Sequence, residues 1–222
     1  VVAEGVYCAD QAQAASWEAC AEVAAMKSVS DAPARVLDCG SGAFPYSPHN
    51  GEEVVTVDQR PETAPTVVHD LSEFPWPFEA DSFDLIRASH LLEHLPDVVA
   101  FMDEAYRILK PGGRLIVRVP HYTSRSAWCD PTHVRAFAAY WPTYFSAGNH
   151  DRYGHCEFQV LQTRLVWTRE QFAAGRGWFV ARVLNPMISR LASRNPRLCE
   201  RTWAYLVGGF SEIVTVMQAV KD

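Results

Sequence analysis

Between residues 35 and 119 the chain breaks into five short apolar runs, Arg35–Leu37, Val54–Val57, Thr66–Val68, Phe83–Ile86 and Leu115–Val119, each bounded by turn residues. Short continuous runs of this kind suit strands buried on both faces, which belong to parallel sheets covered by helices. Between the fourth and fifth runs, Asp97–Lys110 places Val98, Phe101, Met102, Ala105, Ile108 and Leu109 on one helical stripe, with an Asp at its start and Arg107 and Lys110 in its last turn. That is an amphipathic helix whose charges match its dipole. Pro111-Gly112-Gly113 is expected to stop it and turn the chain into the next strand. Phe158–Trp167 and Glu212–Val220 read as two further strands, and Cys8–Met26, with Trp17, Cys20, Val23 and Ala24 at helical spacing, as an N-terminal helix. Strands alternating with helices imply an α/β fold.

A chain of 222 residues has room for one domain with a full core. Its net charge of -6 provides no basic field for a phosphate backbone, so nucleic acid is not an expected partner. No run approaches the roughly 18 apolar residues of a membrane span, and the N-terminus lacks a secretory pattern, so a soluble, cytoplasmic protein is expected. The six cysteines, at 8, 20, 39, 129, 156 and 199, form no C-x-x-C pair and read as reduced thiols.

Chemistry gathers where the strands end. Val36-Leu37-Asp38-Cys39-Gly40-Ser41-Gly42 runs an apolar strand into a glycine-rich turn, in which Gly40 and Gly42 let the backbone bend and approach a ligand closely. Asp38 either orders that loop or meets a positive group. The second strand ends in Asp58, twenty positions after Asp38, where an acid can accept both ribose hydroxyl protons. A third ends in His69-Asp70-Leu71, and the fourth leads to Ala88-Ser89-His90. The plainer alternative is that Asp58 and Asp70 cap turns. The third glycine of the dinucleotide fingerprint is replaced by Phe44-Pro45, which counts against a nicotinamide dehydrogenase.

On VLDCGSG (36–42), TVDQR (56–60), HDL (69–71), SFDLIRASHLLEHL (82–95) and RILKPGGRLIVRVP (107–120), the chain resembles the class I S-adenosylmethionine-dependent methyltransferases, in particular a small bacterial group with a D-x-G-x-G turn and an S-H-x-x-E-H segment. The resemblance covers residues 33–120 and, more loosely, the later strand pair. It implies a Rossmann-like, doubly wound, mostly parallel seven-stranded sheet with helices on both faces, the last strand antiparallel, and a helical and loop lid. It also implies that Asp38, Gly40 and Gly42 hold the methionine end of S-adenosylmethionine, Asp58 the ribose, Gln59 and Asp70 with Leu71 the adenine, and that His90 lies near the methionine end. Glu93 and His94 are either structural, orienting the loop, or part of the site.

Domain organisation follows: one domain over 1–222, with a cap helix in 1–30, a cofactor-binding core in 33–120, and substrate-side lid segments in 121–157 and 168–211. Methyl transfer from a sulfonium mainly needs donor and acceptor aligned and water excluded; a base is needed only for a protonated acceptor. His121 and His133, which follow the fifth strand, are the candidate catalytic residues, weighed against histidines that merely hold a loop together. Tyr122, Trp128, Arg135 and Tyr144 are the candidate substrate contacts, although Arg135 also suits a structural pair with Asp130. Cys129-x-x-x-His133, with His121, His150, His155 and Cys156 nearby in sequence, offers a metal alternative. The lack of paired ligand spacing favours no metal. The expected function is methyl transfer to an O-, N- or S-nucleophile of a small molecule; rivals are a non-methylating reaction such as cyclisation or decarboxylation, and a non-catalytic partner subunit.

Overall fold

The computed structural model describes residues 33–48, 51–149, 151, 153–167, 184–206 and 209–221. The helix expected over Cys8–Met26 and the lid residues 168–183 lie outside the described residues. The strands are β1 (Arg35–Cys39), β2 (Glu53–Asp58), β3 (Val67–Val68), β4 (Phe83–Ser89), β5 (Leu109–Pro120), β6 (Phe158–Val166) and β7 (Glu212–Ala219). The helices are α1 (Val98–Ile108), α2 (Ser126–Cys129), α3 (Asn185–Arg194), α4 (Pro196–Arg201) and α5 (Trp203–Leu206). Together the strands form one seven-stranded sheet in the order β3-β2-β1-β4-β5-β7-β6. β1 to β5 run parallel, whereas β7 is antiparallel to both β5 and β6.

Asp97 starts α1 by accepting the Ala100 N–H at 2.9 Å, and the helix turns its apolar stripe, Phe101, Met102, Ala105 and Ile108, fully into the core. There Trp76 meets Phe101 edge to face, with centroids 5.2 Å apart, and anchors its indole N–H on the Leu71 carbonyl. Each of these large buried side chains contributes roughly 1.5–3 kcal/mol through burial. The helix ends at Ile108, earlier than Pro111-Gly112-Gly113 implied, because Leu109 already pairs with Phe83. A bulge between Phe83 and Leu85 absorbs the irregularity, and Gly113 fits only without a side chain, since a Cβ would stand 2.9 Å from the Lys110 carbonyl oxygen.

At the far edge, β6 leaves outward-facing N–H groups. Ser193 and Ser189 of α3 accept those of Leu165 and Trp167, at 3.0 and 3.1 Å, so α3 covers the open edge. Among the described residues no helix is long and apolar enough to cross a membrane. Cys39, Cys129, Cys156 and Cys199 are free thiols.

Candidate active site

From β1 the chain winds outward to β2 and β3 and then returns to β4 on the other side of β1. Such a reversal leaves a crevice at the carboxyl ends of the two central strands, where open α/β sheets bind ligands. Gly40 and Gly42 line it in left-handed conformations, φ 66° and 56°. A Cβ on Gly40 would stand 3.1 Å from Leu91 Cδ1, so a side chain there would push Leu91, on the segment after β4, aside by a few tenths of an ångström, and the left-handed backbone already favours glycine.

The link from β1 to β2, residues 40–52, contains no helix among its described residues. A side-chain strap orders it instead. The Arg87 guanidinium, reaching from β4, lies 3.8 Å from the Tyr46 ring centroid and 3.8 Å from Asp38. Tyr46 donates its N–H to Asp38 at 2.8 Å and its hydroxyl to Glu52 at 2.9 Å. Both roles open to Asp38 are visible here, since it orders the loop through the Tyr46 N–H and meets the positive charge of Arg87. Burial pushes its carboxyl above the ordinary value, against the pull of Arg87 and the Tyr46 N–H.

Asp58, at the end of β2, accepts the Gly42 N–H at 2.8 Å and both the N–H and the Nε–H of Arg60, at 2.9 and 3.2 Å. Burial raises its pKa, but these donors outweigh it and hold the carboxyl below its usual range. The group is thus a carboxylate that already ties the second strand to the glycine turn. Gln59 beside it is exposed. Asp70 accepts the Ser72 N–H and hydroxyl, at 2.9 and 2.7 Å, and these bonds depress its pKa. Leu71 departs from the expectation that it faces an adenine: only 4% exposed, its side chain enters the core beside Trp76, where an apolar group gains most.

His90 follows β4 in a left-handed conformation, φ 52°. Its Nδ1 meets Glu93 at 3.1 Å and its Nε2 meets Glu212 of β7 at 3.0 Å, while Arg118 of β5 donates to the other Glu212 oxygen at 2.6 Å. Burial lowers the His90 pKa, yet the two carboxylates more than offset it and raise the value. A ring donating from both nitrogens is an imidazolium with no lone pair to offer, so His90 positions rather than deprotonates. The adjacent Ser89 hydroxyl is buried without a hydrogen-bond partner among the described residues.

The two histidines expected to be catalytic part company. His121 is fully buried: Nδ1 engages Thr123 at 2.6 Å and Nε2 engages Glu200 of α4 at 2.8 Å, and Glu200 also accepts the Ala139 N–H. The structure therefore makes it a strut between sheet and lid rather than a group open to a substrate. His133 instead lies against His94, ring centroids 4.5 Å apart, with Nδ1 turned to the Ala127 carbonyl at 3.4 Å. Burial and the neighbouring His133 hold His94 below the ordinary imidazole value, with Glu93 opposing them.

Trp128 is 70% exposed and donates its indole N–H to the Tyr122 carbonyl, and Tyr122 itself is half-buried beside His121. Arg135 donates to the Pro96 carbonyl at 2.7 Å, a structural bond, although not the expected one to Asp130. Tyr144 packs against Tyr140 and Tyr153. Because Ser146 pairs with Phe158, the first residue of β6, this aromatic group lies toward the amino edge of the sheet, away from the crevice, and Tyr144 does not join the site. Arg87, Arg118 and Glu212 were not among the residues expected at the site, yet Arg87 and Arg118 are charges flanked by apolar residues within their strands and Glu212 opens an apolar one, which is a readable signal.

Comparison with known proteins agrees with this geometry. Residues 12–180 match a family model described as a methyltransferase domain. A ubiquinone biosynthesis O-methyltransferase from Xylella fastidiosa is 35% identical over 112 residues, 41% of this chain and 44% of that protein. The chain thus spans less than half the length of the curated relatives it matches. Among solved structures, a SAM-dependent methyltransferase from Archaeoglobus fulgidus superposes with TM-score 0.56 at 15% identity, covering 93% of this chain and 94% of its own. The YcgJ protein from Bacillus subtilis gives 0.54 at 19% identity, covering 94% and 99%. At such identities the likeness is one of fold.

Proposed function

Because the chain belongs to the methyltransferase-domain family, we propose that it transfers a methyl group from S-adenosylmethionine to a small-molecule nucleophile. The observation that carries this reading is the glycine cradle at the reversal of the sheet, closed on one side by Asp58 and on the other by Leu91 and His90. Its chemistry fits the cofactor. Gly40 and Gly42 leave room for the methionine end against bare backbone, and Asp58 is an ionised acceptor suited to a ribose diol. Ser89 contributes a buried hydroxyl in need of a partner at the same edge.

When bound, the cofactor supplies an activated methyl group, so the chain's own task is to orient and to exclude water. The pair of carboxylates around His90 fixes the turn after β4, and Leu91 on that turn sets the width of the crevice. Of the two candidate histidines, His133 is the one not held by short hydrogen bonds at both nitrogens: its Nδ1 is 3.4 Å from the Ala127 carbonyl and its Nε2 is 3.8 Å from the Asp130 carboxylate, a pairing suited to passing a proton from an acceptor when no ion occupies Nε2. The quinone-pathway names among the relatives suggest an oxygen-bearing ring as the acceptor class.

Calorimetric titration with S-adenosylmethionine and S-adenosylhomocysteine, with NADH as control, tests the cofactor. Micromolar binding of the sulfur compounds alone is expected; folded protein that binds neither ends the proposal. His133→Ala is then expected to lower turnover on a hydroxylated acceptor while leaving the cofactor Kd unchanged.

A further inference from the structure

Beside the crevice, the turn after β4 meets the loop after α2. The Val134 N–H donates to the Glu93 carbonyl at 2.8 Å, and this backbone bond brings Glu93, His94 and His133 together with one ligand atom from each within 4.8 Å of the others. Glu93 is 1% exposed. One of its carboxylate oxygens bonds His90, and the other, Oε2, is buried with no hydrogen-bond partner among the described residues. A buried carboxylate oxygen costs about 1–3 kcal/mol or more when nothing satisfies it. Such a group calls for a cation or a donor.

The two imidazoles are oriented for the same purpose. The Thr132 hydroxyl donates to Asp130 at 2.6 Å, so its oxygen must accept at 2.9 Å from His94 Nδ1–H. That chain assigns the proton of His94 to Nδ1 and leaves the lone pair on Nε2. His133 turns Nδ1 to the Ala127 carbonyl at 3.4 Å, which leaves Nε2, 3.8 Å from the Asp130 carboxylate, as its ligating nitrogen. Histidine ligands are commonly held in this way, with the non-ligating N–H donated to an oxygen behind the ring.

We propose that Glu93, His94 and His133 bind one divalent transition-metal ion of the zinc class, with further coordination left for water or an acceptor oxygen. Two imidazoles and one carboxylate suit Zn2+ or Fe2+ better than Mg2+ or Ca2+, which favour all-oxygen sets. Bonds of about 2.0–2.2 Å put tetrahedral ligands roughly 3.4 Å apart, so side-chain rotations that close the 4.8 Å group by up to about 1.4 Å complete the site. The ion would satisfy Glu93 Oε2 and clamp the loop of His133 to the turn of His90. The existence of the site does not depend on methyl transfer, although its use in polarising an acceptor hydroxyl rests on that reading.

The test is Zn2+ titration of the full chain by competition with a chromophoric chelator, together with visible spectra of the Co2+-loaded protein. One Zn2+ per chain and the d–d absorption of a low-coordinate Co2+ site are expected. His94→Ala and His133→Ala should each abolish stoichiometric uptake, and Thr132→Val, an exposed position behind the ligand, should weaken it about 10–100-fold. Cys129→Ser should bind as the wild type does, since that thiol is exposed and outside the group. No saturable uptake by the wild type, unchanged uptake in either histidine variant, or, should those variants fail to fold, unchanged affinity in Thr132→Val overturns the site. S-adenosylhomocysteine binding measured on the same samples separates the two readings. Cofactor binding without metal removes only the metal site, and metal without cofactor removes only the methyltransferase.

Discussion

Replacing Glu212 by glutamine keeps the shape of the side chain and removes its charge. In the folded protein Glu212 is fully buried on β7, between Arg118 Nε at 2.6 Å and His90 Nε2 at 3.0 Å. Both partners are cations out of contact with most of the solvent, so the substitution leaves positive charge facing an amide. Removing one member of a buried ion pair typically costs about 3–5 kcal/mol, a large share of the 5–15 kcal/mol that holds a domain together. For a chain of this size each kcal/mol moves Tm by roughly 2–4 °C, so a fall of about 6–20 °C is expected in a thermal melt. Replacing Arg118 and Glu212 together with apolar groups, as in Arg118→Met with Glu212→Leu, should recover only part of the loss, because the desolvation cost of that pair disappears while His90 still lacks its second carboxylate. Cofactor affinity should fall in Glu212→Gln even where the protein stays folded, since His90 loses one of its two anchors beside the crevice. A Tm within about 2 °C of the wild type would show that the charge on this carboxylate does not stabilise the fold.

Three further outcomes are expected. Asp58→Ala removes a charge-assisted acceptor and should weaken S-adenosylmethionine binding by about 1.5–3 kcal/mol, roughly 10–150-fold by calorimetry; unchanged affinity removes Asp58 from the ribose site. Gly40→Ala forces a Cβ into a left-handed residue 3.1 Å from Leu91 Cδ1, and should cost about 1–2 kcal/mol in urea denaturation as well as narrowing the crevice. An unaltered midpoint and Kd would mean that the turn relaxes freely. Burial opposes ionisation of Glu104, but Arg107 and the Trp76 N–H outweigh it and hold its pKa below the ordinary 4.5. Because the folded value is the lower one, its contribution is complete above pH 4.5 and is lost as pH falls through the folded pKa. Stability measured against pH should therefore show a shallower acid limb in Glu104→Gln than in the wild type, and parallel limbs would contradict the assignment.

Arg35–Cys39, Glu53–Asp58 and Phe83–Ser89 were legible as strands because a buried parallel strand needs an unbroken apolar run, and that requirement is local. The glycine turn was legible for a similar reason, since left-handed backbone at positions 40 and 42 selects its residue type without reference to the rest of the chain. The helix over Val98–Ile108 was also marked by period and cap, although its end moved once Leu109 found Phe83 as a partner. Partnerships across long separations were not legible. His90 meets Glu212 across 122 positions, His121 meets Glu200 across 79, and His94 meets His133 through a loop that the spacing of cysteines and histidines did not reveal. Side-chain chemistry alone made His121 and His133 equal candidates; packing locked one between Thr123 and Glu200 at 2.6 and 2.8 Å, and left the other in looser contacts, with Nε2 3.8 Å from Asp130. The chain's own residues thus determined its strands and its cradle through local backbone and burial preferences. Tertiary structure alone decided which polar groups meet, because hydrogen bonds and ion pairs depend on distances that only the folded sheet sets.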